Sequence, residues 1–439
     1  MSYEGSLPRR SAGRADDRTP PAARRTAARP TAKGRAGTLK RELHQPDYTI
    51  LVAVVSLASV GILMVYSSSA MRGYLSSAND TFAIVGPQIQ WALLGVVAMI
   101  VTMRVDYRYL RLASVPFFVF ALVLLVLVLL PAIGPLQPKV VGGSARWLQL
   151  GPLPAIHPAE IAKLALIVYL AHWLAKRGTR IRGFWSGTVP FLVIAGPVTF
   201  LVFREPDLGT TIVITLTAFT MFFIAGANMF HLGLMGVAAL MGGLLIGLRG
   251  YQMERIRTWL DPWADALGTG FHTVQGLLAL GVGGITGTGL GDSRVFVPNA
   301  FNDFIFAVIG QEFGFIGAGL VIALFLVLAY AGIRTALSAP DTFGALLAAG
   351  ITGWLCIQAF INIGVVVTLV PITGITLPFI SAGGSSLIIS FAAVGILLSI
   401  SRETVEKGTW NDDATADRGR GNGRAHLPGT RRRPVAARR

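Results

Sequence analysis

The run YTILVAVVSLASVGILMVYS, residues 48–67, holds 20 residues without one charge. As a helix rising about 1.5 Å per residue it covers about 30 Å, the depth of a bilayer's hydrocarbon core. Nine more apolar runs follow: 82–103, 112–131, 160–175, 184–203, 208–226, 230–248, 304–331, 343–370 and 383–401. The fourth is short and polar, carrying Glu160, Lys163 and His172, and the eighth and ninth are long enough to tilt or to pass the bilayer surface. The pattern predicts an all-α polytopic membrane protein of about ten transmembrane helices, with both termini on one side and a large loop, 249–303, between the seventh and eighth.

Composition agrees. Of 439 residues, 53% are hydrophobic and 14% charged, with mean hydropathy +0.61. The first 47 and last 38 residues carry 31 of the 60 charges, leaving 29 for the 354 between. A middle section so poor in polar surface excludes a soluble enzyme, a disordered protein and a fibrous repeat. Three segments follow: a basic, disordered tail 1–47, a membrane domain 48–402, and a second such tail 403–439. The first apolar run begins too late for a cleaved signal peptide and reads as a retained span. With both tails inside, Lys and Arg number 29 on the cytoplasmic segments against 8 outside, which fits the positive-inside rule. The +16 net charge lies mostly in the tails, so anionic lipid is the expected partner there and nucleic acid is not. The single Cys356 excludes an intrachain disulfide and any CxxC site.

On this topology four polar stretches converge on the outer face. They are Gly142–Trp147 running into Pro158–Lys163, the link Arg204–Gly209, the segment 249–303, and Pro371–Ser386. Ionisable groups and Gly- or Pro-broken backbone at membrane depth need a protein or water lining. Together the four describe a polar cavity open to the outer leaflet.

These residues resemble the SEDS family, the FtsW/RodA/SpoVE group. The likeness rests on Gly143 to Trp147; on Pro158, Glu160 and Lys163; on Glu205-Pro206-Asp207-Leu208-Gly209; and on Tyr251, Arg255 and Trp259-Leu260-Asp261-Pro262-Trp263. It continues through Gly287–Gly291, Asp303-Phe304-Ile305-Phe306, Glu312 and residues 371–386, spanning 45–402 in order. Leu260–Trp263 and Gly289–Gly291 with Ser293 look more like the division type than the elongation type. The resemblance implies a peptidoglycan glycosyltransferase that polymerises lipid II at the outer face of a bacterial plasma membrane. Its implied partners are a class B penicillin-binding protein as transpeptidase and other division proteins. It places the essential acid on Asp303. Arg146, Trp147, Lys163, Glu205, Asp207, Arg255, Gln275, Ser381 and Ser385 join it as candidate substrate-binding residues. The resemblance names no certain cofactor, and a divalent cation, Mg²⁺ or Mn²⁺, is left open. The chain departs from common family patterns at Val297–Asn302, and with His157 and Gln311 where Gln and Glu are usual.

The chemistry is plausible on the residues alone. A partly desolvated carboxylate gains the basicity a general base needs. Arg146, Lys163, Arg204 and Arg255 can clamp a departing diphosphate. Plainer roles compete. Lys163 and Glu160 stand at i, i+3 and suit a structural ion pair. Glu205 and Asp207 suit a helix cap, Glu312 a pairing between helices, and Arg146-Trp147 an interfacial anchor. Ser381 and Ser385 lack the setting of a nucleophile. At the level of function the rivals are a flippase for lipid-linked precursors, an elongation-type polymerase and a non-catalytic scaffold.

Overall fold

The structure, a computed structural model, describes residues 42–43, 45–76, 81–131, 136–141, 144–150, 154–247 and 251–404. The two basic tails lie almost wholly outside this set, as do Gly142 and Gly143. Twelve helices follow in order: α1 (Tyr48–Ser76), α2 (Val85–Arg104), α3 (Tyr109–Leu129), α4 (Pro158–Arg177), α5 (Val189–Arg204), α6 (Leu208–Ile224), α7 (Met229–Gly247), α8 (Tyr251–Leu260), α9 (Phe271–Gly283), α10 (Ile305–Ser338), α11 (Thr342–Val366) and α12 (Gly384–Ser401).

Every expected span is a helix. Among the described residues, eight helical segments are long and apolar enough to cross a bilayer. The sixth and seventh expected spans, α6 and the apolar part of α7, are shorter. Segment 249–303 is not a plain loop, since it contains α8 and the apolar α9. The described part of the Gly142–Trp147 stretch, from Ser144 on, lies in an antiparallel pair, β1 (Leu136–Val141) with β2 (Ser144–Leu150), in which Lys139 faces Trp147.

Local chemistry sets the helix ends. Asp207 caps α6 by accepting from Thr210 N at 3.1 Å, and Asp341 caps α11 by accepting from Gly344 N at 2.7 Å. Pro158 occupies the first turn of α4, where its missing N–H costs nothing. α4, α11 and α12 are largely buried along their lengths. Small residues let α2 and α12 approach closely: a Cβ on Gly384 would lie 2.6 Å from the Trp91 ring, and one on Gly395 2.3 Å from Met99 O. The outer helices present Leu112, Val193 and Leu326 at 80%, 67% and 65% exposure, a surface that only lipid covers without penalty. The bundle has two chemically distinct ends. At one, Arg111 pairs with Asp341 at 3.3 Å and Arg108 pairs with Glu403. The other gathers α1's end, the starts of α2, α4, α10 and α12, and the α5–α6 link.

Candidate active site

The polar end is built from two irregular stretches laid together. Ser381 Oγ donates to Asn302 O at 2.7 Å and accepts from Leu377 N at 2.7 Å, while Ala382 N donates to Phe301 O at 2.8 Å. From the core of α11, Asn362 Nδ2 spends one hydrogen on Asp303 O (2.8 Å) and the other on Ile375 O (2.7 Å). The backbone of Asp303 is thus fixed to both stretches by one buried amide. Gly374 sits opposite at φ +74°, a region that suits glycine, and a Cβ there would lie 3.7 Å from Asp303 Oδ2.

α10 is broken at Gly314 (φ 66°, ψ −163°). In an unbroken helix Phe315 N and Ile316 N would donate to the carbonyls of Gln311 and Glu312. They donate instead to Gly284 O (2.9 Å) and Ile285 O (3.2 Å). The released carbonyls take Thr288 N (3.0 Å) and Gly289 N (3.1 Å). The side chains continue the exchange. With its amide oxygen turned toward them, Gln311 accepts from Arg294 N (2.6 Å) and Val295 N (2.7 Å). Glu312 accepts from Ser293 Oγ (2.8 Å) and from Ser67 Oγ of α1 (2.6 Å). The break in α10 therefore docks the segment leading to Asp303.

Asp303 lines a cavity of about 360 Å³ together with Glu254, Arg255, Thr258, Thr269, His272 and Asn299. Burial raises its pKa from 3.8 to about 6, opposed by the positive charges of Arg255 and Arg146. Arg255 Nη1 donates to Ile372 O at 3.1 Å and Trp259 Nε1 to Thr368 O at 2.8 Å, seating α8 on the stretch that precedes Gly374. A general base near its working range beside a guanidinium is what proton abstraction next to an anionic leaving group requires.

A second cluster bears on Asp303 through charge. Arg146 Nε donates to Glu205 O at 3.2 Å and its Nη2 to Pro206 O. Asp207 caps α6 and lies 3.6 Å from His157 Nε2. Burial lowers the His157 pKa, more than Asp207 raises it. Trp147 meets the His157 ring edge-on at 5.0 Å, and His157 N donates to Ser385 Oγ at 3.3 Å. Glu205 is fully buried.

Other candidates sit apart from the cavity. Lys163 Nζ donates to Glu160 Oε1 (2.9 Å) and Gln358 Oε1 (2.7 Å) inside the bundle, 5.0 Å from the Trp354 ring. Gln275 is half-buried one turn beyond His272 on α9, Glu312 serves the docking above, and Arg204 is exposed at the end of α5. Sequence reasoning missed Asn362, Gln358 and Gln311 as organisers. Their signal was present, since a side-chain amide inside an apolar span demands partners. Among the described residues no three His, Cys, Asp or Glu side chains form a metal-ligand group. Asp303 and Glu254 both line the cavity and are the carboxylates that a divalent cation there would meet.

Fold and site together define a multi-pass helical membrane protein with a carboxylate-and-guanidinium cavity at one end of its bundle. Residues 48–406 match the cell cycle protein family FtsW/RodA/SpoVE. The chain is 42% identical to stage V sporulation protein E of Bacillus subtilis over 363 residues, covering 81% of this chain and 97% of that one. It is 40% identical to the probable peptidoglycan glycosyltransferase FtsW of Geobacter metallireducens over 373 residues, with 84% and 97% coverage. Among solved structures, a chain described under "Structural coordination of polymerization and crosslinking by a peptidoglycan synthase complex" matches with TM-score 0.67 and 28% identity, covering 81% and 98%. The rod shape determining protein RodA of Thermus thermophilus matches with TM-score 0.60 and 27% identity, covering 81% and 97%. The chain belongs to the FtsW/RodA/SpoVE family.

Proposed function

We propose that this chain is a peptidoglycan glycosyltransferase that polymerises lipid II at the outer face of a bacterial plasma membrane, in septal wall synthesis. The observation that carries this reading is Asp303, partly desolvated beside Arg255 on the wall of one cavity. The names of the relatives support the same activity. In the proposed reaction the Asp303 carboxylate takes the proton of the acceptor sugar hydroxyl. The resulting oxygen attacks the donor's anomeric carbon from the face opposite the diphosphate. The C–O bond to the diphosphate breaks, and undecaprenyl diphosphate leaves with the electron pair, inverting the carbon. Arg255 and Arg146 stabilise the charge that develops on the departing oxygens. Asp303 and Glu254 are the carboxylates that would hold a divalent cation, which would supply further charge neutralisation. The steps above use protein side chains alone. The prenyl chain stays in lipid while the sugars enter the cavity.

A class B penicillin-binding protein is the proposed partner, supported by the likeness to a chain of a complex that couples polymerisation to crosslinking. The basic tails are proposed to stay in the cytoplasm against anionic lipid. The test is incubation of the purified chain, alone and with such a partner, with lipid II, followed by gel analysis of glycan strands. Strands from the wild type and none from Asp303→Asn are expected. Transfer of labelled lipid II across liposomes without polymer would replace this reading with a flippase.

A further inference from the structure

Glu205, the residue following α5, has a side chain that is 0% exposed, and among the described residues neither carboxylate oxygen has a hydrogen-bond partner. The mechanism above gives it no task. A carboxylate buried without donors is costly, and the usual escape is to keep its proton. Burial and the charge of Asp207 two residues on push Glu205 up to about 8, against the pull of Arg146.

Its surroundings give this a purpose. Arg146, from β2, is moored to the backbone oxygens of Glu205 and Pro206, and it makes no ion pair among the described residues. A guanidinium carries five N–H donors, so two such bonds leave donors for a ligand. The other acid of the α5–α6 link is already engaged: Asp207 accepts from Thr210 N and Thr210 Oγ1 and faces His157 of the α4 start. Of the two acids in this link, Glu205 is the one left to compete for Arg146, and it competes only when ionised.

We propose that Glu205 is a positioning residue, kept uncharged in the working protein so that Arg146 remains available to a diphosphate, and that ionising Glu205 withdraws Arg146 from that ligand. This rests on the reading of the cavity as a site for a lipid-linked diphosphate. It gives the buried acid of the Glu205–Gly209 link a task distinct from helix capping, which Asp207 performs.

The test is the binding of farnesyl diphosphate to the purified full chain at pH 7 and pH 9. With competence tied to the protonated acid and a pKa of about 8, the apparent Kd rises about tenfold over that interval. Glu205→Gln, uncharged at both values, removes this rise and leaves only the ligand's own titration. Equal pH dependence in wild type and Glu205→Gln overturns the proposal. A second measurement needs no variant: the infrared difference spectrum of the wild type between pH 7 and pH 9 shows the loss of a protonated carboxyl band. Asp303, at about 6, is about nine-tenths ionised at pH 7 and contributes only about a tenth of a carboxyl to it. Absence of the band also overturns the proposal. A wild type that shows the band but binds no farnesyl diphosphate at pH 7 overturns the diphosphate reading, and the role of Arg146 with it.

Discussion

Replacing Asp303 with Asn stabilises the protein while abolishing polymerisation. Burial lifts the Asp303 carboxyl from 3.8 to about 6, so between those values the native state keeps a proton that the unfolded chain has lost. Ionised Asp303 therefore weighs against folding above pH 6, and the weight fades as pH falls through 6 toward 4. The difference corresponds to about 3 kcal/mol at pH 7 and about half of that at pH 5. Both figures are upper bounds, because the cavity leaves the carboxyl some solvent. Asn keeps the size and loses the charge, so Asp303→Asn raises the unfolding temperature at pH 7 by a few degrees. Thermal unfolding of both proteins in detergent at pH 5, 6 and 7 is the assay, run beside lipid II polymerisation. A variant no more stable than wild type at pH 7, or a gap that does not narrow at pH 5, would refute the claim that Asp303 is held in a costly ionised state.

Gly314→Ala forces a Cβ to within 2.4 Å of Gly287 N and Ile285 O at a positive φ. The backbone strain alone costs about 1–3 kcal/mol, so a lower unfolding temperature and faster proteolysis of 284–295 are expected. Asn362→Leu strands two buried carbonyls, those of Asp303 and Ile375, at about 1–3 kcal/mol each, and it lowers turnover more than it raises KM. Lys163→Met leaves Glu160 buried and unpaired at about 3–5 kcal/mol, and the double variant with Glu160→Gln recovers most of that loss. Wild-type stability in Lys163→Met would show that the pair contributes nothing to the bundle.

Much of this molecule was legible residue by residue. A span is recognised by its own length and apolarity, and an acid followed by Phe304-Ile305-Phe306 announces burial at the edge of a helix. The helices inside segment 249–303 were less legible, because its apolar stretch is only 13 residues long at α9. The break at Gly314 was not foreseen either, since glycine in an apolar run reads equally well as close helix packing.

The chain alone determined the spans, the Asp207 cap and the position of the acid, because hydrophobic length and capping depend on neighbours a few residues away. Tertiary structure alone decided that Lys163 turns into the bundle toward Gln358 and that Asn362 holds Asp303 in place. It also decided that Ser67 and Glu312, 245 positions apart, share a hydrogen bond. Each of these is a buried polar group that must find a donor or acceptor somewhere. Which one it finds depends on helices brought together by packing, a choice that no local run of residues encodes.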